Sequence, residues 1–227
     1  KVVNENIAFA CGFNGLVLKS TDGGETWLTK NTFSYEHLRG IDFVDESNGF
    51  AVGGSVGEIT TSIILKTTNG GDTWSNLYSP SLNTLNAVDF FDEQFGIAVG
   101  IRGNILKTTN GGSSWTSAYT DIPHWLYSVY VISKTHIFIC GGNVNEGFIV
   151  RTTNGGYEWS ELTIHSTQWL HSIYFEDTLK GFVVGYNGKI LYTTNAGIPW
   201  EIRNSGIDDN LNSIKSGYNN QILTCGN

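Results

Sequence analysis

The chain has 227 residues, 13 Lys and Arg against 21 Asp and Glu, and a formal net charge of -8. That balance argues against nucleic acid as a main partner, because phosphate binding relies on a basic field. No stretch reaches the ~18 apolar residues of a membrane span, and no signal peptide is visible.

Taken in order, the chain repeats one unit. Lys1-Val2-Val3 matches the tail of a first strand, and a second strand ends in Phe9-Ala-Cys11-Gly. A third strand runs into the turn Ser20-Thr-Asp22-Gly-Gly24-Glu-Thr26-Trp27, whose Trp opens a fourth strand. The second unit has a first strand Leu38-Arg-Gly-Ile41-Asp-Phe43, an acidic turn Asp45-Glu46, an insertion from Ser55 to Ser62 and the turn Thr67-Thr-Asn69-Gly-Gly71-Asp-Thr73-Trp74. The third has Leu85-Asn-Ala-Val88-Asp-Phe90, Asp92-Glu93 and Thr108-Thr-Asn110-Gly-Gly112-Ser-Ser114-Trp115. The fourth has Leu126-Tyr-Ser-Val129-Tyr-Val131 and Thr152-Thr-Asn154-Gly-Gly156-Tyr-Glu158-Trp159. The fifth has Leu170-His-Ser-Ile173-Tyr-Phe175, Glu176-Asp177 and the most altered turn, Thr193-Thr-Asn195-Ala-Gly197-Ile-Pro199-Trp200. The sixth holds Leu211-Asn-Ser-Ile214-Lys-Ser216 and a second strand through Leu223-Thr-Cys225-Gly.

The Trp-to-Trp spacings are 47, 41, 44 and 41 residues. Alternating Val, Ile, Phe, Tyr and Thr between Gly- and Asn-containing turns is strand patterning, and strand repeats of about 40–45 residues fit four-stranded propeller blades. The fold expected is therefore all-β: one β-propeller domain over 1–227, with repeats near 1–36, 37–83, 84–124, 125–168, 169–209 and a partial 210–227. No Trp-Asp dipeptide marks a WD repeat. With no Met and Lys1 at the start, a segment upstream is expected to have been removed.

Each repeated turn has a physical logic. Asp22, Asn69, Asn110, Asn154 and Asn195 accept hydrogen bonds from backbone N–H groups just ahead. Ser20 and its Thr equivalents satisfy a further backbone group. Gly24, Gly71, Gly112, Gly156 and Gly197 tolerate φ > 0, and Trp27, Trp74, Trp115, Trp159 and Trp200 bury their rings against the core. Four of the five turns have Asn at the third position and so lack the carboxylate that a hard cation would want there, which makes them poor cation sites. The acidic turns read as solvated strand connections. Cys11, Cys140 and Cys225 stand where other repeats have Val52, Val99 and Val184, so each is read as a small buried hydrophobe rather than a ligand or disulfide partner. No metal or cofactor is expected.

The pattern Ser/Thr-x-Asp-x-Gly-x-Thr-Trp resembles the Asp-box, or bacterial neuraminidase repeat. With Gly-x-Ala-Val-Gly and Gly-x-Ile-Leu-Lys-Thr-Thr-Asn-Gly-Gly-x-Thr-Trp, cleanest from Leu85 to Trp115, the whole chain resembles the photosystem II stability/assembly factor-like family of β-propellers. That resemblance implies a non-catalytic binding or assembly role, export to the cell surface, periplasm or medium, and a ring usually of seven blades. Five to six blades are visible here, so either the chain is most of a larger ring, the favoured reading, or a smaller ring closes with one strand left over.

In a propeller, the loops entering each first strand meet those joining the second strand to the third, on the face opposite the repeated turns. His37, Thr84, Trp125, Trp169 and Asn210 precede the Leu of the first strands, and Arg39, Asn86, Tyr127, His171 and Asn212 follow it. Their chemistry varies on a repeated frame, as in a grafted site. The other loop set supplies Asn14, Arg102, Asn104, Asn143, Asn145, Glu146, Tyr186 and Asn187. The binding face expected comprises His37, Arg39, Asn86, Arg102, Trp125, Tyr127, Trp169, His171, Tyr186 and Asn212. Aromatic and Arg residues there suit a protein partner, and flat rings also stack on a glycan; the alternative to both is that Trp125 and Trp169 pack under their own loops.

No catalytic residue is expected. Sialidases share the turn motif and bind a carboxylate with three arginines, but only Arg39, Arg102, Arg151 and Arg203 exist here, and the last two lie at the turn end. A glycosidase needs two facing carboxylates; Glu36, Glu58, Asp121, Glu146, Asp208 and Asp209 are candidates, with no pair singled out. The histidines 37, 124, 136, 165 and 171 lack zinc-ligand spacing.

Overall fold

Alternating apolar residues between turn signals leave each run able to form a half-buried or fully buried strand, and the described residues fold into six antiparallel sheets in which strands follow chain order. The computed structural model describes residues 1–118, 122–143, 145–162, 164, 168–216 and 221–226. Two compact units result, 1–120 and 121–227.

The first unit holds three sheets. One is three-stranded: β1 (Ala8–Cys11), β2 (Val17–Ser20) and β3 (Leu28–Lys30). The next has β4 (Leu38–Phe43), β5 (Gly49–Gly53), β6 (Ile63–Thr67) and β7 (Ser75–Leu77). The third has β8 (Leu85–Phe90), β9 (Gly96–Gly100), β10 (Ile105–Thr108) and β11 (Thr116–Ala118). The second unit begins with β12 (Trp125–Val131), β13 (Ile137–Gly142), β14 (Gly147–Thr152) and β15 (Ser160–Leu162). It continues with β16 (Leu170–Phe175), β17 (Gly181–Gly185), β18 (Lys189–Thr193) and β19 (Glu201–Asn204), then β20 (Leu211–Ser216) paired with β21 (Ile222–Gly226).

The core lies between successive sheets within each unit. Phe9 of β1 stacks on Phe43 of β4, centroids 3.8 Å apart, and Phe50 of β5 on Phe90 of β8 at 4.0 Å. Phe138 and Phe175 repeat the contact at 4.6 Å. The repeated turn of one sheet is seated on the Phe of the sheet before it. A Cβ on Gly112, whose φ is +76°, would lie 2.5 Å from the Phe50 ring, and Gly71 and Gly197 meet Phe9 and Phe138 in the same way. Lys66 crosses that junction, with Nζ 5.3 Å from the Phe50 centroid and donating to the Gly111 carbonyl at 2.6 Å; Lys19 does likewise to Gly70.

First strands carry an edge that would otherwise leave backbone groups unsatisfied. Side chains of the neighbouring first strand meet it. Asp42 accepts the Phe90 N–H at 2.9 Å, Ser128 Oγ that of Ile173 at 3.2 Å, and Ser172 Oγ that of Ile214 at 3.3 Å. The Tyr130 hydroxyl donates to the Phe175 carbonyl at 2.9 Å.

The repeated turns follow their expected chemistry. Gly24 N–H donates to Ser20 Oγ at 2.8 Å, and Thr26 N–H to Asp22 Oδ1 at 2.9 Å. The same pair recurs at Thr67 and Asn69, Thr108 and Asn110, and Thr152 and Asn154. In the fifth turn, Asn195 instead donates to the Ile198 carbonyl at 3.0 Å. The acidic turns are also structural: Asp45, Asp92 and Asp177 each accept two backbone N–H groups.

Two expectations need correction. Trp74 and Trp115 are buried against Phe43 and Phe90, but Trp27 is exposed, because the β1–β3 sheet has no first-strand Phe to receive it. Cys140 is buried, whereas Cys225 is exposed on β21, beside which no third strand lies among the described residues.

Candidate functional site

The first strands of five sheets, β4, β8, β12, β16 and β20, are each broken at one position. Pairing skips Arg39 in β4, Asn86 in β8, Tyr127 in β12, His171 in β16 and Asn212 in β20. Each is a β-bulge, which leaves a residue outside the ladder and re-aims its side chain. The bulged residues are the five chemically varied positions after the Leu. The Gly ending each second strand allows the chain to enter there: a Cβ on Gly185 would lie 2.1 Å from the Trp169 carbonyl oxygen.

In the second unit these positions come together as aromatics. Tyr127 lies 6.3 Å from Trp125, 5.8 Å from Trp169 and 5.1 Å from His171, between ring centroids. Tyr186, from the loop joining β17 to β18, stacks on His171 at 5.2 Å and meets Trp169 edge-on at 5.1 Å. The rings form one continuous cluster. Trp125 is 42% exposed and the other four are half-buried, so the cluster is neither wholly packed under its loops nor wholly open. Burial lowers the pKa of His171, favouring the neutral imidazole. Burial, with Tyr186 beside it, pushes the Tyr127 hydroxyl up to about 12. Trp169 Nε1 and His171 Nε2 are buried without a hydrogen-bond partner among the described residues. Centroid spacings of 5–6 Å leave no room between the rings for a cation, so this is a surface and not an aromatic cage. Asn212 is exposed on its bulge.

Beside Trp125, His124 accepts from Asn143 through Nδ1 at 3.1 Å and meets Glu146 through Nε2 at 3.1 Å. That arrangement fits the Nε2–H tautomer.

In the first unit, Arg39 and Arg102 are exposed and Asn86 is half-buried. Arg102 sits at φ +56°, where Asn14 and Asn187 occupy the matching turns. His37 has a structural task, since its Nδ1 accepts the Asn14 N–H at 3.3 Å and its ring meets Phe13 edge-on at 4.6 Å. Sequence reasoning passed over Phe13, Phe33 and Tyr35, all strongly exposed. The available signal was two aromatics in the polar loop Asn31-Thr-Phe33-Ser-Tyr35-Glu36.

Several of the enzymatic candidates are engaged elsewhere. Glu36 Oε2 accepts Ser55 Oγ at 2.6 Å and Thr61 Oγ1 at 2.8 Å, pinning the insertion. Glu146 is paired as above, while Glu58, Asp208 and Asp209 are exposed. Arg151 donates to the Ala196 carbonyl at the turn end, and Arg203 lies over the Tyr192 ring. Among the described residues, no group of three His, Cys, Asp or Glu side chains is placed to hold a metal. Asp121 and His165 lie outside the described residues.

Consecutive antiparallel four-stranded meanders, packed face to face through their first strands, define the β-propeller class. The structures it resembles agree. YCF48 bound to D1 peptide matches with a TM-score of 0.62 and 15% identity, over 99% of this chain and 87% of that one. YCF48 from Cyanidioschyzon merolae matches with 0.61 and 16%, over 100% and 91%. An ancestral GH74 enzyme matches with 0.75 and 16%, over 99% of this chain but 34% of its own length. At such identities the likeness establishes the fold, an all-β propeller. No family model matches the sequence, and neither does any curated protein.

Proposed function

We propose that this chain is a non-catalytic binding or assembly module of the photosystem II assembly factor-like type. It engages a protein partner through the loop ends where the first strands enter. The observation that carries this reading is the bulge in β4, β8, β12, β16 and β20, which takes a chemically varied residue out of the ladder while its neighbours repeat. The clustered rings of Trp125, Tyr127, Trp169, His171 and Tyr186 are the anchor, since large aromatics dominate protein-interface energetics. The YCF48 structure bound to a D1 peptide supports a peptide or protein ligand. On this reading the repeated turns are Asp-boxes with a fold-making role, and the protein is exported. The charge of -8 favours neither nucleic acid nor anionic membrane, and among the described residues no helix is long and apolar enough to cross a membrane.

A second reading, carbohydrate recognition at the same face, is favoured by the exposed ring of Trp125 and the likeness to GH74 enzymes. Hydrolysis is a weaker part of it, because Glu36 and Glu146 are already bonded. Affinity capture and a glycan array separate the two. One stoichiometric protein, insensitive to competing sugars and lost with Trp125→Ala plus Trp169→Ala, supports the first. Sugar binding lost with the same pair would replace it with the second.

A further inference from the structure

Within one sheet, a single hydrogen bond ties the repeated turn to the connection between the first and second strands. The residue after the turn's Asn donates its N–H to a carbonyl of that connection. Gly70 donates to Ser47 at 2.8 Å, Gly111 to Gln94 at 2.9 Å, Gly155 to Thr135 at 3.0 Å and Ala196 to Leu179 at 2.9 Å. The pairs 69–70, 110–111 and 154–155 are Asn-Gly, each followed by a second Gly. Asn-Gly is prone to deamidation, because Gly puts no side chain in the way of ring closure. The deprotonated Gly nitrogen attacks Asn Cγ, a C–N bond forms, and the side-chain nitrogen leaves as ammonia. The resulting succinimide adds water at one of its two carbonyls and opens to aspartate or isoaspartate; nothing is oxidised or reduced. A Gly N–H donated to a carbonyl is held off that path, so a folded turn reacts only when it opens locally.

The three ties are not equal. In two of them a carboxylate holds the connection that offers the carbonyl. Asp45 accepts the N–H groups of Ser47 and Asn48 at 2.6 and 2.7 Å, and Asp92 those of Gln94 and Phe95 at 2.9 and 2.8 Å. The β12–β13 connection has Ser133 instead, whose hydroxyl accepts from Thr135 and His136 at 3.3 and 3.0 Å. Hydrogen bonds to an ionised acceptor are roughly twice as strong as those between neutral groups. Packing agrees. Trp74 and Trp115 meet Phe43 and Phe90 of their own first strands, whereas β12 has Val131 at that position. Gly156 and Trp159 are half-buried where Gly71, Gly112, Trp74 and Trp115 are buried. Asn-Gly pairs outside the turns are firmly held. Gly15 donates to the Glu36 carbonyl at 2.8 Å and Gly188 to that of Asp209 at 2.7 Å. The Asn48 amide donates to Asp45 at 2.8 Å, and Gly49 lies in β5.

We propose that Asn154 is a modification site, the Asn-Gly at which the folded chain deamidates first. The product changes the turn that carries it. Asn154 Nδ2 donates to Glu158 Oε2 at 3.2 Å, where Asn69 and Asn110 face the hydroxyls of Thr73 and Ser114. Aspartate in place of Asn154 sets two carboxylates against each other, and isoaspartate adds a methylene to the backbone of the turn. Conversion therefore loosens the fourth turn and cannot reverse unaided.

The test incubates the folded 227-residue chain in oxygen-18 water at mildly alkaline pH and follows each Asn-Gly by peptide mapping. Asn154 should convert about fivefold or more faster than Asn69 or Asn110. In urea the three should agree within about twofold, since all share Asn-Gly-Gly and the ties are gone. Ser133→Asp supplies the carboxylate of the other connections; it should bring Asn154 down to the rate of the other two and keep or raise the melting temperature. Asp92→Ser should raise the rate at Asn110 alone. Asn154→Asp should lower the melting temperature, and Asn110→Asp should not. Equal rates in the folded chain, a faster Asn69 or Asn110, no conversion at Asn154, or a Ser133→Asp chain that converts as before would each overturn the proposal. So would an Asp92→Ser chain in which all three rates rise together, since that is opening of the whole fold. A melting temperature indifferent to Asn154→Asp would overturn the effect assigned to the product.

Discussion

At the scale of single residues, the repeated turn does two tasks with one glycine. Gly112 supplies a left-handed backbone and also clears the Phe50 ring. Gly112→Ala should therefore cost roughly 2–3 kcal/mol, a left-handed penalty of about 1–2 plus the clash, read as a lower urea midpoint. The fifth turn offers the reverse change. Ala196 sits at φ +48° where the other turns have Gly, so Ala196→Gly should stabilise by up to about 1 kcal/mol in the same measurement. Asp22 is the one carboxylate at the third position of the turns, where the others have Asn. Bonds from the Thr26 hydroxyl and N–H, then from Ser20, lower its pKa from 3.8 to about 2. A group whose folded pKa is depressed contributes stability above its unfolded value and loses it as pH falls through the folded one. Wild type should thus lose stability between about pH 4 and pH 2 relative to Asp22→Asn, checked by melting both across that range. A constant difference would show that the charge is not what the turn uses.

At the scale of elements, sheets are joined by the side of a Phe and not by ladders. Phe50 touches Phe90 and Trp115 and lies under Gly112. Phe50→Ala should cost about 3–5 kcal/mol, whereas Lys66→Ala, which removes a cation–π contact and one hydrogen bond at the same junction, should cost about 1. Denaturation of both variants checks the ranking; a larger loss at Lys66 would mean that the junction is electrostatic. First-strand position four residues after the Leu shows how a repeated frame tolerates different chemistry. Asp42 accepts an N–H there and Tyr130 donates to a carbonyl, each satisfying the neighbouring strand.

At the scale of the molecule, the turns close on themselves without help. The oxygens of Asp22 are occupied by Ser20 and Thr26, and its equivalents are Asn. Dialysis against EDTA should leave the melting temperature unchanged; a fall of several degrees would reveal a cation that the turn chemistry argues against. Much of the architecture was legible beforehand because its signals are local. Strand alternation, Gly at fixed offsets and a Trp every 41 to 47 residues depend on backbone geometry within one repeat. The acidic turns and the Lys-Thr-Thr run were likewise readable. Burial was less so. Cys140 and Cys225 occupy one repeat position yet differ in exposure, because burial is set by the strand alongside, which the motif does not contain.

The sequence alone determined the sheets, their strand order and the end of each sheet at which chemistry varies, since all three follow from short-range periodicity and turn stereochemistry. Only the tertiary structure decided which varied residues meet. Tyr127, Trp169, His171 and Tyr186 are brought ring to ring by bulges and by packing between sheets, and His37 is drawn away to cap a turn. Contacts between residues some 40 or more positions apart depend on how one sheet's face fits the next, and no single repeat encodes that fit.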